Sequence, residues 1–384
     1  MAILRTFTRR LFIISNIVAV ALFLLACANT FLHPARWWVI SLLGLVFPLL
    51  LLIVVGFFIT ALCFHSFRRW ALLSLAALLI GWSNIHSFLA FHIGKGFSQN
   101  KSPHSLRILT WNVRSFDEFI GRKNGSLEHR PKMMDFIGAQ QADVVCLQEF
   151  YDSHNPKESA ANISYIRQRL HYPYYYFSRE YAQYERQYEA GVIIFSRYPI
   201  LDTMILKYPR PDGIRATESL IAADVLAEGD TIRIFTTHLQ SVLFRNKDFH
   251  DIEIIKNVDD SILQASKSIA RKLAYAFRRR ADQAEALRSE LDKSPYPGIV
   301  CGDFNDVPNS YTYFTIRGNW QDAFLQKGFG IGRTYVHLSP TLRIDYILAD
   351  PRLKVLQCRK FSLPYSDHNP VIADVQLQQT DHPQ

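Results

Sequence analysis

The sequence predicts an α/β protein, a four-layer α/β sandwich of two packed mixed β-sheets flanked by helices, preceded by three transmembrane helices. Three observations predict this fold. The N-terminal region of the 384-residue chain contains three long apolar stretches. The remainder alternates short β-branched and aromatic runs with turn residues, which is typical of strands. Few helical patterns separate these runs, which favours sheets packed face to face with helices outside.

The membrane region comprises residues 1–93, with predicted transmembrane helices at about 11–32, 38–62 and 70–92. Each stretch is near or above the roughly 20 residues that an α-helix needs to cross a hydrocarbon core. The intervening loops are so short that consecutive helices must be antiparallel neighbours. The lipid bilayer is therefore an expected partner, and no protein partner is inferable. The averages of 49% hydrophobic residues and a net charge of +9 mix this region with the rest.

Basic residues at the ends of these stretches predict the orientation. They are frequent before the first stretch and after the second, and sparser elsewhere: Arg5, Arg9, Arg10, Arg68 and Arg69 against Arg36, Lys95 and Lys101. By the positive-inside rule the N-terminus and the second loop are cytoplasmic, and everything after residue 93 is outside. The sequence thus predicts an integral protein of the cell inner membrane with an extracytoplasmic C-terminal domain.

A second interpretation treats the first stretch as a cleavable signal. It has a basic start, an apolar run and small residues at 26–28, and residues 24–27 resemble a lipoprotein cleavage site. Two further apolar stretches follow at once, so an uncleaved first helix is the simpler interpretation.

The five cysteines show no CxxC or Cys/His spacing that would indicate zinc. Cys146 and Cys301 lie in strand-like apolar runs, where buried free thiols are the main interpretation. A disulfide between these two residues, formed in an oxidising compartment, is the alternative.

A polar linker at 94–105 precedes one large domain at 106–378, and residues 379–384 form a tail. Strands are predicted at 106–113, 142–150, 174–179, 190–197, 219–226, 231–239, 298–304, 343–349 and 371–377. Helices are predicted at 131–141, 158–170 and 261–291. The basic residues near 278–280 and the tyrosines of 172–188 could bind phosphate, anionic lipid or bases. A solvated helix face and core packing are the simpler interpretations.

Polar residues follow three strand candidates near the C-terminus. They form the segments 302–306 (GDFND), 343–346 (RIDY) and 366–370 (SDHNP). Carboxylates, an amide and an imidazole would then gather at strand ends around one pocket. A hard cation such as Mg²⁺ takes few protein carboxylates, while histidine and aspartate suit phosphoryl oxygens and an attacking water. This composition indicates hydrolysis of a phosphate ester.

Asn112 and Glu149 close two further strands. Glu149 follows the uncharged run 144–148 and is poorly solvated unless it meets a cation, so we interpret it as a metal ligand. Asn112 can offer an amide oxygen to the metal or a donor to phosphate. His238 ends another strand; a lone histidine is more often structural, and only the accompanying motifs favour a catalytic role.

The remaining candidates lie within the three C-terminal segments. Asp303 and Asn305 would point to the same side if the chain stays extended, so that the amide could orient a carboxylate that takes a proton from water. Asp345 lies between apolar residues and needs a partner, which His368 could be. Asp367 could reach the metal.

This ordered set resembles the endonuclease/exonuclease/phosphatase superfamily, which includes deoxyribonuclease I-like nucleases, abasic-site endonucleases, neutral sphingomyelinases and inositol polyphosphate 5-phosphatases. The resemblance covers about residues 105–378, and the segment 191–199 (GVIIFSRYP) resembles the strand ahead of the family's specificity loops. It implies that Glu149 binds Mg²⁺ or Mn²⁺, with Asn112 and Asp367 completing or supporting the metal shell.

The resemblance also implies the catalytic roles. Asp303 would align or deprotonate the attacking water, held by Asn305. His368, oriented by Asp345, would contact the scissile phosphate, and His238 would stabilise its developing charge or help the leaving group. The reaction is in-line attack of water on phosphorus.

The expected activity is therefore that of a membrane-anchored, metal-dependent phosphodiesterase or nuclease. A phosphomonoesterase or a sphingomyelinase-like lipid phosphodiesterase is the alternative, and the complete catalytic set argues against a noncatalytic binding module. The sequence shows no convincing abasic-site recognition element and no clear inositol-phosphatase motif. The substrate, a nucleic acid or a phospholipid headgroup, stays open.

Overall fold

The computed structural model describes residues 2–92, 96–118, 128–154, 160–183, 187–208, 218–242 and 262–377. These residues form two compact units, each taken by itself below. The helical unit comprises the described parts of 1–89, 241–284 and 306–315. The sandwich unit comprises those of 90–240, 285–305 and 316–384.

The helices number ten within the described residues. They are α1 (Ala2–Ala28), α2 (Pro34–Leu45), α3 (Phe47–Cys63), α4 (Arg68–Ile80), α5 (Trp82–Phe88), α6 (His129–Ala139), α7 (Asn162–Arg169), α8 (Ile262–Asp292), α9 (Tyr311–Arg317) and α10 (Ala323–Lys327). Short 3₁₀ turns lie at His65–Phe67 and Arg114–Asp117.

The strands belong to two large sheets and one two-stranded ribbon. They are β1 (Ala90–Phe91), β2 (Leu106–Asn112), β3 (Val144–Ser153), β4 (Tyr174–Phe177), β5 (Tyr181–Gln183), β6 (Tyr188–Ser196), β7 (Ile200–Lys207), β8 (Ser219–Ala227), β9 (Asp230–His238), β10 (Gly298–Asp303), β11 (Gln321–Asp322), β12 (Phe329–Gly330), β13 (Asp345–Ala349), β14 (Leu353–Lys360) and β15 (Val371–Leu377).

Both large sheets are mixed. The seven-stranded sheet has the order β14-β15-β2-β3-β6-β4, with β5 also paired to β6. The six-stranded sheet has the order β11-β13-β10-β9-β8-β7. Within each sheet one central pair is parallel, β2 with β3 and β9 with β10, and the other pairs are antiparallel. The polar ends of these two parallel pairs carry the site described below.

The two sheets pack face to face through a continuous apolar core. Alternating side chains of β2, β3 and β6 meet those of β8, β9 and β10, for example Ile108 and Ile194 with Ile221 and Ile299. The outer face of the seven-stranded sheet is covered by α6 and α7. Neighbouring side chains of a strand point to opposite faces, and β2 and β3 are buried on both faces along almost their whole length.

The sandwich fold and its mixed sheets confirm the prediction from sequence. Each predicted strand is present with ends shifted by a few residues. Six strands were missed within the described residues. Two of them are long, β7 and β14, where exposed and charged residues interrupt the apolar pattern. The other four, β1, β5, β11 and β12, have two or three residues each. Parts of the predicted linker, of the helix at 158–170, of the helix at 261–291 and of the tail lie outside the described residues.

The apolar N-terminal stretches form helices, two of them bent. One helix, at Leu4–Ala28, is long and apolar enough by itself to cross a membrane. The second stretch is α2 and α3, bent by 59°, and the third includes α4 and α5, bent by 62°. Pro48 in the first turn of α3 lacks an amide proton, and Gly81 separates α4 from α5; both residue types are common causes of kinks. Within the described part there are thus one to three candidate spans.

Candidate active site

The register of three neighbouring strands places three polar side chains in one row. In the parallel pair β9 and β10, His238 lies opposite Asp303. In the antiparallel pair β10 and β13, Asp303 lies opposite Asp345. The central strand β10 is buried throughout, and Gly302 has φ +136 with the Thr237 carbonyl oxygen 2.1 Å from where a Cβ would stand. Only glycine allows this approach of the two backbones.

The facing sheet contributes Asn112 and Glu149 from the ends of β2 and β3. The chain leaves the regular ladder here, because pairing between β3 and β6 shifts register between Leu147 and Phe150. Glu149 has φ +48, and its side chain is 40% exposed. This irregularity turns the carboxylate away from the apolar core toward solvent.

Asn112 connects the two sheets. Its Nδ2 donates to Oε1 of Glu149 at 3.0 Å and to Oδ2 of Asp303 at 3.1 Å. Its Oδ1 accepts from the backbone amide of Arg114 at 3.0 Å. One buried amide therefore separates two carboxylates that would otherwise repel each other.

His238 faces the same two carboxylates from the six-stranded sheet. Its Nε2 lies 3.8 Å from Oε1 of Glu149 and 3.6 Å from Oδ2 of Asp303. Both distances exceed a hydrogen bond, and among the described residues this shielded nitrogen has no hydrogen-bond partner. The imidazole is thus positioned beside the carboxylates with a polar atom available to another group.

His368 and Asp345 form a buried pair. Nδ1 of His368 lies 3.1 Å and 3.0 Å from the two carboxylate oxygens of Asp345, and Nε2 lies 3.7 Å from Oδ2 of Asp303. The backbone of His368 is fixed as well: its carbonyl accepts from Trp111 Nε1 at 2.8 Å and its amide donates to Ser366 Oγ. The ring is therefore held with Nε2 toward Asp303.

Burial and neighbouring charges shift the pKa values of this group. Burial raises the pKa of Asp303, the negative charge of Asp345 raises it further, and the two histidines act in the opposite direction. Burial disfavours the charged form of His368, but the carboxylates of Asp345 and Asp303 outweigh it and raise its pKa to about 10. The two carboxylates thus favour the imidazolium form of His368, with Asp345 as its counter-ion.

The comparisons with known proteins identify the family of the chain. Residues 109–368 match the family model described as "Endonuclease/Exonuclease/phosphatase family". The chain belongs to this family. A second model, a domain of unknown function, matches residues 9–88. The comparison with curated protein sequences gives no match. Members of the endonuclease/exonuclease/phosphatase family are phosphoester hydrolases.

Solved structures of the family share the sandwich fold. An endonuclease/exonuclease/phosphatase from Beutenbergia cavernae DSM 12333 is 20% identical, with a TM-score of 0.50 over 71% of this chain and 72% of that chain. One from Bacteroides vulgatus is also 20% identical, with a TM-score of 0.50 over 71% and 99%. D. rerio TDP2, described as complexed with a single-strand DNA product, is 17% identical over 71% and 99%, with a TM-score of 0.47.

The structure brings the predicted residues together unequally. Asn112, Glu149, His238, Asp303, Asp345 and His368 are linked by the contacts above. Asn305 has φ +53, so the chain is not extended there as expected. The backbone amide of Asn305, not its side chain, donates to Asp303 Oδ1 at 2.8 Å, and its Nδ2 donates to the Leu239 carbonyl. Asp367 lies at the edge of the group, 3.4 Å from Arg114 Nε.

Several polar residues of the site were missed from the sequence. Arg114 begins a turn whose four residues all have positive φ, a conformation that is costly for non-glycine residues and that concentrates at functional sites. Gln148 donates to Thr110 Oγ1 at 3.1 Å and to Thr236 Oγ1 at 2.9 Å, which joins the two sheets. Tyr335 has its ring 5.0 Å from that of His368. Of these residues, only Arg114 could have been recognised from the sequence, because it follows the predicted site residue Asn112 by two positions.

The donor set fits a divalent cation. Carboxylate and amide oxygens are the ligands that hard cations prefer. Asp303, Asp345 and His368 have ligand atoms within 4.8 Å of one another and could together hold a metal ion. However, Nδ1 of His368 is already paired with Asp345, and the Asp303 and Asp345 side chains are almost completely buried. The partly exposed Glu149 carboxylate beside the Asn112 amide therefore fits a cation better.

Proposed function

We propose that the protein is a membrane-anchored, Mg²⁺-dependent phosphodiesterase or nuclease, also active with Mn²⁺, that cleaves a P–O bond by in-line attack of water. The observation that carries the proposal is the convergence of Glu149, Asp303 and the pair of His368 with Asp345 around the Asn112 amide. Membership of a phosphoester hydrolase family supports the reaction class.

Three residues would hold the cation: Glu149, with Asn112 and Asp367 in support. A divalent ion bound there supplies Lewis-acid polarisation of a phosphoryl oxygen and offsets negative charge in the transition state. The Asn112 amide donates to both Glu149 and Asp303 and so fixes the distance between the cation ligand and the residue that acts on water.

Asp303 acts on the attacking water. Its Oδ1 is held by the backbone amide of Asn305, which leaves Oδ2 toward the two imidazoles. Because burial raises its pKa, this carboxylate is a stronger base than an exposed aspartate, and general-base catalysis improves as the pKa approaches the working pH.

The two histidines act on the phosphoryl group. His368 is protonated and held by Asp345, so its Nε2 proton can be donated to a phosphoryl oxygen. Nε2 of His238 has no hydrogen-bond partner among the described residues, so it can contact the phosphate or the leaving oxygen. Donors fixed in advance at a developing charge provide large stabilisation of the transition state.

The test uses the full-length protein in nanodiscs. Turnover is measured with Mg²⁺, Mn²⁺ or EDTA on plasmid DNA, RNA, sphingomyelin, phosphatidylinositol phosphates, bis-nitrophenyl phosphate and a nitrophenyl monoester. Diester hydrolysis that requires the metal is expected. Asp303→Asn and Glu149→Gln should each lower kcat at least about a hundredfold, because each removes a group that acts in the transition state.

The matched control is Glu228→Gln. Glu228 lies in the turn between β8 and β9, at the end of these strands away from His238, and contacts His104. This variant should retain full turnover. Equal activity of wild type, Asp303→Asn and Glu149→Gln would refute the proposed site. Faster hydrolysis of the monoester than of the diester would show that the protein is a phosphomonoesterase and not a phosphodiesterase.

We also propose three spans in the inner membrane, with the sandwich unit outside. Supporting this are the apolar helix α1, the two bent helix pairs and the basic residues before the first and after the second stretch. Protease added to spheroplasts should digest the sandwich unit without lysis. Protection of that unit until lysis would reverse the orientation.

A further inference from the structure

The segment 306–315, here the docked segment, begins directly after Asn305 and belongs to the helical unit. The chain therefore passes from the sandwich unit to the helical unit three residues after Asp303. The helical unit also includes residues 9–88, which match a domain of unknown function.

Asn309 is the centre of the docked segment's packing and is 1% exposed. Its Nδ2 donates to the Ala26 carbonyl at 2.9 Å, and its Oδ1 accepts from Asn84 Nδ2 at 2.5 Å. Its own carbonyl accepts from Asn29 Nδ2 at 2.9 Å. The polar atoms of this buried residue are thus bound by α1, α5 and the residue that follows α1, which is a specific arrangement because unpaired buried amides are costly.

The backbone of the docked segment also approaches α2 closely. A Cβ on Gly44 would stand 2.7 Å from the Asn309 carbonyl oxygen and 2.7 Å from Asn29 Nδ2. Real Cβ atoms do not come so near to backbone, so glycine is required at this position. Ser87 Oγ adds a hydrogen bond to the Pro308 carbonyl at 3.3 Å.

The first residue of the docked segment is held by an ion pair. Arg280 Nε donates to Asp306 Oδ2 at 3.1 Å, and both side chains are almost completely buried. Asp306 Oδ1 accepts from the Val307 amide. The docked segment is therefore fixed at both Asp306 and Asn309.

We infer that the helical unit is a positioning element for the active site, acting through the docked segment on Asp303 and Asn305. The inference rests on the proposed function. A shift of the docked segment is transmitted along three peptide units to the residues that orient the attacking water. A displacement of about 1 Å at a catalytic group can lower a rate by about a hundredfold. Membrane anchoring by itself requires none of these contacts.

Gly44→Ala tests the inference, with Gly56→Ala as the matched control. Both glycines lie in helices of the apolar region, but nothing lies within 4 Å of a Cβ at Gly56. In full-length protein in nanodiscs, Gly44→Ala should lower kcat about tenfold with KM changed less than about twofold. Hydrogen exchange at 304–309 should accelerate. Gly56→Ala should match wild type in all three measurements.

A second pair of variants tests the inference independently if Gly44→Ala does not fold. Asn84→Ala removes the hydrogen bond to Asn309, whereas Asn16→Ala removes a buried amide of the helical unit that bonds Ser74 Oγ at 2.9 Å, away from the docked segment. Asn84→Ala should lower kcat and accelerate exchange at 304–309. Asn16→Ala should do neither. The double variant Asn84→Ala with Asn309→Ala should lose less than the sum of the two single variants, because both single variants remove the shared hydrogen bond between Asn84 and Asn309.

Calorimetric Mn²⁺ affinity supplies a readout that needs no substrate. It should fall about tenfold in Gly44→Ala, as for loss of a residue that supports metal ligands, and stay unchanged in Gly56→Ala. If the wild-type protein were inactive on every substrate, the proposed function would be refuted. The differences in hydrogen exchange and Mn²⁺ affinity between the variants could still be measured and would still test the inference. Equal kcat, exchange and Mn²⁺ affinity in Gly44→Ala and Gly56→Ala would refute the inference.

Discussion

The strand ends of the sandwich unit and the surroundings of Asn309 in the helical unit bury polar side chains of different kinds. In the sandwich unit the buried group at the strand ends is charged, and Asp303 is 1% exposed beside Asp345 and His368. In the helical unit the buried residues around the docked segment include neutral amides, Asn29, Asn84 and Asn309, which bond mainly to backbone carbonyls and to each other.

This difference distinguishes residues that take part in the proposed reaction from residues that hold the docked segment in place. Ionised carboxylates placed close together in a buried site oppose folding, so their presence in the sandwich unit is explained by the reaction and not by stability. Amides paired with carbonyls satisfy both partners and favour a single arrangement. The contacts of Asn309 therefore favour one arrangement of the helical unit, whereas the charged group at the strand ends is tolerated by the sandwich unit.

The sharpest test of this comparison exchanges acid and amide in both units. Asp303→Asn should raise the thermal midpoint in EDTA, because it removes a buried charge whose pKa burial has raised. Asn309→Asp should lower the thermal midpoint, by a larger amount than Asp303→Asn raises it. This substitution buries a carboxylate against the Ala26 carbonyl and removes the Nδ2 donor of Asn309. Breaking such a buried arrangement costs about 3 kcal/mol. Differential scanning calorimetry measures both.

Exposed positions provide the controls for this exchange. Asp230→Asn at the start of β9 and Asn100→Asp after the third apolar stretch change the same atoms at exposed sites, and the midpoint should stay within about one degree of wild type, since surface changes of this kind have small effects. A midpoint lowered in Asp303→Asn would show that the charged group stabilises the sandwich unit, and the comparison would fail.

Asp345→Asn should change how stability depends on pH. Burial opposes the charge on His368, but Asp345 and Asp303 raise its pKa to about 10, above the unfolded value of about 6.5. The folded state then binds more protons between these values, so the stabilisation is complete below about pH 6.5 and is lost as pH rises toward 10. Asp345→Asn should flatten this decline and lower kcat about a hundredfold.

Thermal midpoints of wild type and Asp345→Asn in EDTA from pH 6 to pH 10 supply the measurement. The substitution keeps the shape of the side chain and changes its charge, so His368 remains packed. Parallel curves for the two proteins would show that His368 is not protonated by its pairing with Asp345.

The smallest effect is expected at Glu180, beside the site. Burial raises its pKa to about 7, with the negative charge of Glu218 adding to the shift and Ser219 and His238 opposing it. Between about pH 4.5 and 7 the folded state holds a proton that the unfolded chain has released, so stability falls as pH rises. Glu180→Gln should remove this decline, whereas Glu228→Gln should leave it. Melting curves at five pH values in this window would detect it, and an unchanged slope would contradict it.

The sandwich unit could be predicted from sequence because its strands are buried on both faces. Runs such as the one before Glu149 are apolar throughout and end abruptly in polar residues, so both the strands and their functional ends are visible. The edge strand β7 exposes Leu201 and alternates burial, and its residues resemble a surface segment. The bulge and the positive φ at Glu149 depend on pairing with β6 and leave no local pattern.

The docking of Asn309 could not be predicted. Its surroundings, residues 305–310 (NDVPNS), have the composition of a turn, and its partners lie more than 220 positions earlier in the chain. The bends are different, because Pro48 and Gly81 are recognisable kink residues. The predicted spans were drawn from the length and apolar composition of each stretch, so the bends were not predicted.

The shared row of His238, Asp303 and Asp345 has an evolutionary consequence. Backbone ladders between adjacent strands fix the spacing of these three groups, so their geometry is inherited from the sheet itself. Connecting loops can then lengthen, shorten or change composition without disturbing the hydrolytic machinery. New specificities could arise by loop exchange on a constant catalytic row, whereas a one-residue insertion within β10 would abolish every activity at once.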